Sequence, residues 1–409
     1  MTIIITISFI ILALGTLFFF KKNLFSIEVI IIISFGLIYI LPLVNPYAFK
    51  SWQTDTDFLV IIWISLIIVF LSISFKGKFI ILKSKYELKT KYTSLFFLLI
   101  TFFFVYQSFN ILKLNNFNII EVLVRNRVSI YLNDAENYSD LIQKLISILQ
   151  IFYLVFIIYV YRNKSKLLGV LGYLNLLFFI ILVTHTRFVL LSYLLMPVLY
   201  YNEYIKKIKI KTLLLGIVFA AFFLGFTNFV RTGVVDKFNM DNPIKVTLEQ
   251  VDIKSVNTFY IVYNKINKNQ ISFDYMQHYV YYVPLTFIPR VFWPSKPIVS
   301  YFWRLTKIVT GSYPGGMSNP VLTSTIFGEG YHQGGIIGMS LIFLLYVILA
   351  RSYIAFIDKL EYMKPFIWIF LIHIPMDLRG GFSSLFVSYL IMFFVILMIK
   401  TIFFKKMAS

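Results

Sequence analysis

The 409-residue chain has no cysteine. Disulfides, thiolate nucleophiles and cysteine metal sites are excluded, and cysteine usage says nothing about redox compartment. Charge is scarce: 14% of residues are charged, and acids number 18 against 38 bases. Histidine occurs four times, at His185, His278, His332 and His373, without metal-ligand spacing. Neither an HExxH nor a Walker pattern occurs. A chain so poor in charge and 59% hydrophobic, with 45 Phe and 28 Tyr, is not a water-soluble domain. Its net charge of +20 raises nucleic acid as a partner. Most of that charge is lysine in short loops between apolar runs, where it signals topology and meets lipid headgroups, so no nucleic-acid partner is expected.

Apolar stretches of about 20 residues recur from end to end, each long enough to cross a hydrocarbon core of ~30 Å. The expected fold is all-α: a polytopic helical membrane protein with about eleven spans (range 10–12), forming one integral membrane domain over residues 1–409. The spans fall at 2–20, 26–44, 57–75, 94–112, 142–161, 167–183, 188–201, 212–229, 335–354, 365–378 and 382–403. The first stretch lacks a basic region before it and a small-residue cleavage site after it, so it reads as a retained span. The pair 167–183 and 188–201 is split at Thr184-His185-Thr186-Arg187, because a single helix over both would be too long for one crossing.

Lysine orients the chain. Loops 76–92, 162–166 and 202–211, Lys21-Lys22 and Lys405-Lys406 all fall on one side under the eleven-span reading. The positive-inside rule makes that side cytoplasmic, with the N-terminus outside and the C-terminus inside. Arginine behaves differently. Of nine arginines, seven (Arg125, Arg127, Arg187, Arg231, Arg290, Arg304 and Arg379) fall in outer segments. A guanidinium fork beside a bilayer suits a phosphate or diphosphate headgroup.

Two outer segments are long. Residues 113–141 read as an amphipathic interfacial segment. Residues 230–334 form a large outer loop insertion. Within it Tyr279-Val-Tyr-Tyr-Val-Pro-Leu-Thr-Phe-Ile-Pro is too short to span and reads as re-entrant or interfacial.

The densest polar constellation lies in 287–335. It comprises Pro289-Arg290-Val-Phe-Trp293-Pro294-Ser-Lys296-Pro297, then Gly-Gly-Met-Ser318-Asn319-Pro, then Gly328-Glu329-Gly330-Tyr331-His332-Gln-Gly-Gly335. Gly and Pro here predict non-helical backbone at the membrane edge, tolerated only where protein or water satisfies it. Arg290 and Lys296 supply cations for a phosphate, and Glu329 and His332 can accept a proton. Each also has a plainer reading. Arg187 and Arg231 can snorkel to lipid phosphates. Asp377 can neutralise Arg379 in the turn between the last two spans. Glu329, the only acid between Asp274 and Asp358, can complement the dipole of span 335–354.

With these residues in view, the chain resembles the Wzy-type oligosaccharide repeat-unit polymerases, relatives of the O-antigen ligases. The resemblance rests on the many spans, Thr184-His-Thr-Arg187, the large outer loop, the Pro289-Arg290-x-x-Trp293-Pro294-x-Lys296-Pro297 run, and Gly328-Glu329-x-Tyr331 ahead of a span. The family's last element often continues with Asn and an aromatic residue; here it continues His332-Gln333-Gly334. The outer loop also lacks the His-rich signature of the ligases. The resemblance implies a GT-C-like fold in a bacterial inner membrane, with an active site facing the periplasm and no cofactor, metal or nucleotide. It implies polymerisation of polyprenyl-diphosphate-linked repeat units into a surface polysaccharide, O-antigen or capsule. By it, Glu329 or His332 is the catalytic base, Arg187, Arg231, Arg290, Lys296 and Arg379 hold diphosphate, and Trp293 and Tyr331 contact sugar. Implied partners are membrane lipids and a chain-length regulator and flippase of the same pathway. A flippase for the same lipid, or a ligase-type transferase, is the competing reading. A flippase should show two related halves and charges deep within its spans.

Overall fold

The computed structural model describes residues 1–19, 26–44, 51–75, 86–89, 93–114, 116–117, 139–183, 193–204, 253–285, 288, 292–293, 295–298, 300–314, 322–360 and 362–406. Its main elements are helices: α1 (Thr2–Phe19), α2 (Ile27–Val44), α3 (Thr56–Ser74), α4 (Thr93–Leu114), α5 (Ser139–Asn163), α6 (Lys166–Val183), α7 (Met196–Tyr204), α8 (Ile253–Asn267), α9 (Tyr301–Thr310), α10 (Ile326–Ile357), α11 (Lys364–Gly380) and α12 (Ser383–Phe403). Four of the described helices, α2, α3, α4 and α10, are long and apolar enough to cross a membrane. The chain is thus a mostly helical protein with membrane-spanning character. The expected outer segment 113–141 lies mostly outside the described residues, as do the span 212–229, the turn at Arg187 and residues 230–252.

Several helices expose apolar stripes at helical spacing. On α1 these are Ile3, Ile4, Ile7, Ile10, Ile11 and Leu14; on α4 they include Leu95, Leu98, Leu99 and Phe102, the last 73% exposed. In water such stripes would drive aggregation, whereas lipid tails solvate them. Buried apolar residues occupy the opposite faces, so these helices have an apolar face towards the protein and another towards lipid.

The described backbone divides into two compact units: Met1–Ile81, Asn242–Ala355 and Ile374–Phe393 in the first, and Leu82–Asp241, Phe356–His373 and Phe394–Ser409 in the second. In the first unit Asp55 caps α3, accepting Phe58 N–H at 3.1 Å, and Ser26 caps α2 through Val29 N–H. Its core stacks Phe35, Tyr39, Phe327 and Phe343, and packs Phe58 against Phe259 and Tyr263. Trp52 donates its indole N–H to Asn257 at 2.6 Å, tying the start of α3 to α8. In the second unit α5 and α6 pack with α4 around Phe104, Tyr153 and Phe179. That unit also holds one antiparallel strand pair outside the all-α expectation, β1 (Tyr86–Leu88) with β2 (Phe404–Lys406), joined by Glu87–Lys405 at 2.9 Å.

Two expectations about local structure need correction. The expected span 335–354 is part of a longer run that starts at Ile326. The glycine-rich element at Glu329 was expected to be non-helical; it is helical, and the backbone breaks only at Gly334 and Gly335. Thr325 starts the helix by accepting Gly328 N–H at 3.1 Å, and Phe327 and Tyr331 bury their rings, so packing outweighs the poor helix propensity of glycine. Gly335 has φ 63° and permits the break. Beyond it the chain turns so closely that a Cβ on Gly338 would lie 2.3 Å from the Gly330 carbonyl oxygen. Gly330 and Gly338 are therefore a backbone-to-backbone contact, in which neither residue can carry a side chain.

Candidate functional site

Residues 326–333 place Glu329 and His332 within the first unit among three other pieces of chain: α9, the turn between α11 and α12, and a short segment over residues 278–285. Glu329 is 0% exposed. Its Oε1 accepts the Tyr279 hydroxyl and, at 3.1 Å, the N–H of Ser383, the first residue of α12; Oε2 shares that N–H at 3.2 Å. Glu329, in the first turn of α10, thus also complements the dipole of α12. Gly381 lies against the carboxylate with φ 82°, and a Cβ there would sit 2.3 Å from Oε2 and 3.0 Å from Phe302. The Gly380-Gly381 turn lets the backbone approach a buried acid to a distance that no other residue type allows.

His332 faces a different set of groups. Its Nδ1 lies 3.1 Å from the Tyr301 hydroxyl, and its carbonyl accepts Asp274 N–H at 2.8 Å. Asp274 gathers the rest. It accepts His278 N–H at 3.0 Å, Gln333 Nε2 at 3.0 Å and Arg304 Nη2 at 3.3 Å. Arg304 also covers the Tyr282 ring, 3.4 Å from its centroid, and points Nη1 at His278 Nδ1, 3.2 Å away. Arginine only donates, so His278 Nδ1 must accept, which makes the ring neutral with its proton on Nε2.

Burial, and then the Arg304 charge, push the His278 pKa down from its ordinary 6.5 to about 4. The sign of the consequence follows. Between those two values the unfolded chain binds a proton that the folded chain refuses, so the contribution is complete above pH 6.5 and lost as pH falls toward 4. The apparent melting temperature of the detergent-solubilised protein should decline across this window, and less steeply for His278→Gln. Parallel pH profiles for the two proteins would contradict this assignment.

A second buried acid lies in the same unit. Asp377 Oδ2 accepts the hydroxyls of Tyr346, at 3.1 Å, and Tyr389, while Oδ1 has no hydrogen-bond partner. Phe382 packs against both Tyr279 and Tyr346, so one aromatic ring lies between the tyrosines of the two acids.

The sequence-derived candidates are distributed as follows. Arg187, Arg231 and Arg290 lie outside the described residues. Glu329 and His332 share one short helix but contact different groups. Lys296 donates to the carbonyls of Leu285, at 3.3 Å, and Ile288, at 2.7 Å, so part of its donor capacity is spent on backbone. Trp293 donates to Ser295 at 3.1 Å. Tyr331 is buried against Phe259, Tyr263 and Phe273 with its hydroxyl on Asn267 at 3.2 Å. Arg379 sits in the last turn of α11, where a cation favours the helix C-terminus. The sequence reading did not single out Asp274, His278, Tyr279, Tyr301 or Ser383 as site residues. Only Asp274 carried a signal: it is the acid that precedes Glu329 in a long stretch otherwise without acids. The chain also has one Asp-x-Asp spacing, Asp55-Thr56-Asp57, whose first member caps α3.

No family model, curated protein or solved structure matches this chain.

Proposed function

We propose that this protein is a membrane glycosyltransferase that polymerises polyprenyl-diphosphate-linked oligosaccharide repeat units at the outer face of a bacterial inner membrane. The proposed topology is eleven crossings, N-terminus out and C-terminus in, with the fold of a GT-C-like enzyme. The observation that carries the reading is the setting of Glu329. The single acid of the Gly-Glu-x-Tyr element is buried against a hydroxyl donor and a helix N-terminus, in the unit that also holds Arg304 and Arg379.

The chemistry is a displacement. The hydroxyl oxygen of the terminal sugar on a new lipid-linked unit attacks the anomeric carbon of the growing glycan. The bond from that carbon to the diphosphate oxygen breaks, and the hydroxyl proton passes to Glu329. His332 is the second candidate for this proton. The departing polyprenyl diphosphate gains negative charge, which fixed guanidinium groups stabilise. Arg187, Arg231, Arg290 and Arg379 are assigned to it, with Lys296 in support. Trp293 and Tyr331 complete the assignment at the sugar.

The test is the surface-glycan profile of a strain lacking the gene. Loss of long chains with a single repeat unit retained is the expected result. Loss of every surface repeat would instead mark a flippase for the same lipid and overturn the reading.

A further inference from the structure

A base must meet its substrate, yet Glu329 is closed off. Its carboxylate touches the Gly381 backbone, Ser383 N–H and the Tyr279 hydroxyl. The first two belong to the turn that starts the 21-residue helix α12. Tyr279 belongs to chain of another kind. It lies in a five-residue π turn, His278–Tyr282, followed by one α turn, Val283–Leu285. The start of this turn is pinned by Asp274, which accepts His278 N–H. Its outward side is exposed at Val280 (77%) and Tyr281, while Arg304 covers the neighbouring Tyr282 ring.

The Tyr279 ring rests on Phe382 and Phe386, with centroids 5.9 and 6.3 Å away. Burial first, and the Glu329 charge second, raise its phenol pKa well above the ordinary value. It therefore keeps its proton and is the donor to Glu329. The group covering Oε1 is thus an O–H donor, the same group an acceptor sugar would present.

We propose that Tyr279 holds the place of a substrate hydroxyl on Glu329, and that the site opens when residues 278–285 draw Tyr279 away and an alcohol O–H takes its position. The proposal rests on the reading of Glu329 as the base and adds the class of ligand that Oε1 receives. Tyr279 is a positioning residue in it.

The absence of cysteine makes a direct test possible. Ser383 is buried and its backbone N–H meets the Glu329 carboxylate, so Ser383→Cys puts a reporter thiol beside Glu329 and keeps that N–H. The full-length protein in detergent is treated with a small cationic methanethiosulfonate, and labelling is followed by intact mass. Ser383→Cys alone should label slowly. Adding Tyr279→Phe, which keeps the ring and removes the hydroxyl, should speed labelling about tenfold or more, as expected for loss of a hydrogen bond to a charged group. A control thiol at Ser65, buried in α3, should stay slow in both backgrounds.

Equal rates with and without Tyr279→Phe would overturn the proposal. So would fast labelling of Ser383→Cys alone, or acceleration at Ser65 as well, which would mean general loosening. The polymerase reading fails separately: if the gate behaves as expected but Glu329→Gln leaves long-chain glycan intact, the latch stands and the assigned reaction does not.

Discussion

Cells carrying Glu329→Gln should lose long-chain surface glycan and retain single repeats, with the protein at normal abundance. The substitution keeps the shape of the side chain and one acceptor oxygen. It removes the ability to take a proton from the attacking hydroxyl, a contribution of roughly 10²–10⁴-fold in rate. A drop of that size abolishes long chains, because every added repeat passes through the same step.

The competing account is structural: Glu329 caps α12 through Ser383 N–H. A charge at a helix N-terminus contributes about 0.3–1 kcal/mol, and loss of a capping acceptor costs about 0.5–2 kcal/mol. Those magnitudes predict a modest fall in thermal stability and a normal glycan ladder. Immunoblotting of membranes for abundance, alongside gel profiles of the glycan, separates the two. Normal ladders at normal abundance would remove Glu329 from the chemistry and leave His332 as the next residue to substitute.

The membrane character was readable from composition because it needs only local information: runs of apolar residues punctuated by lysine. Starts and stops followed for the same reason. Asp55 and Ser26 cap helices whose ends agree with the hydropathy pattern to within a residue or two. The element around Glu329 was harder to read. Two glycines and a following Gly-Gly look like loop, and single-residue propensity cannot register that Phe327 and Tyr331 bury their rings and hold the helix. Nor can it show that the glycines at 330 and 338 exist for a backbone contact.

The site was legible in part. Scarcity of acid pointed to Glu329, since a lone carboxylate in a long basic and aromatic stretch must have an unusual reason to be there. Its partners were not legible, because they are non-local: Tyr279 is fifty residues upstream and Ser383 fifty-four downstream. Arg304 illustrates the limit on the cation side. By sequence it counts among the outer arginines without a diphosphate role, and its fork is engaged by Asp274, His278 and Tyr282. Its charge organises the wall of the site, and a positive-inside count has no means of separating that duty from phosphate binding.

The largest stability effect is expected far from Glu329 along α10. Arg351→Met should sharply lower the amount of folded protein, by a destabilisation of about 3–5 kcal/mol, the usual cost of removing one member of a buried ion pair. Arg351 is buried, and its guanidinium binds Glu28 Oε1 at 2.8 Å. It also donates to the carbonyls of Ile73, at 2.5 Å, and Phe75. These carbonyls lie at the end of α3, whose last turn leaves acceptors without an intrahelical donor. Glu28 sits in the first turn of α2, so both charges also match helix dipoles. One side chain of α10 thus fastens α2 and α3. Methionine fills much of the volume but leaves the Glu28 carboxylate without this guanidinium and strips two carbonyls of a donor. Lysine retains the charge yet cannot present a fork to three acceptors, so Arg351→Lys should fall between wild type and Arg351→Met. The double variant Glu28→Gln with Arg351→Met should regain part of the loss, because it also removes the carboxylate charge that Arg351 offsets. Thermal unfolding in detergent of the wild type, Glu28→Gln, Arg351→Met and the double variant gives the coupling energy. Wild-type stability in Arg351→Met, or a double variant no better than the single one, would show that the clasp is not what holds these helices together. Glycan ladders should shorten only in proportion to the folded protein that remains, since the clasp acts on folding and Glu329 on the reaction.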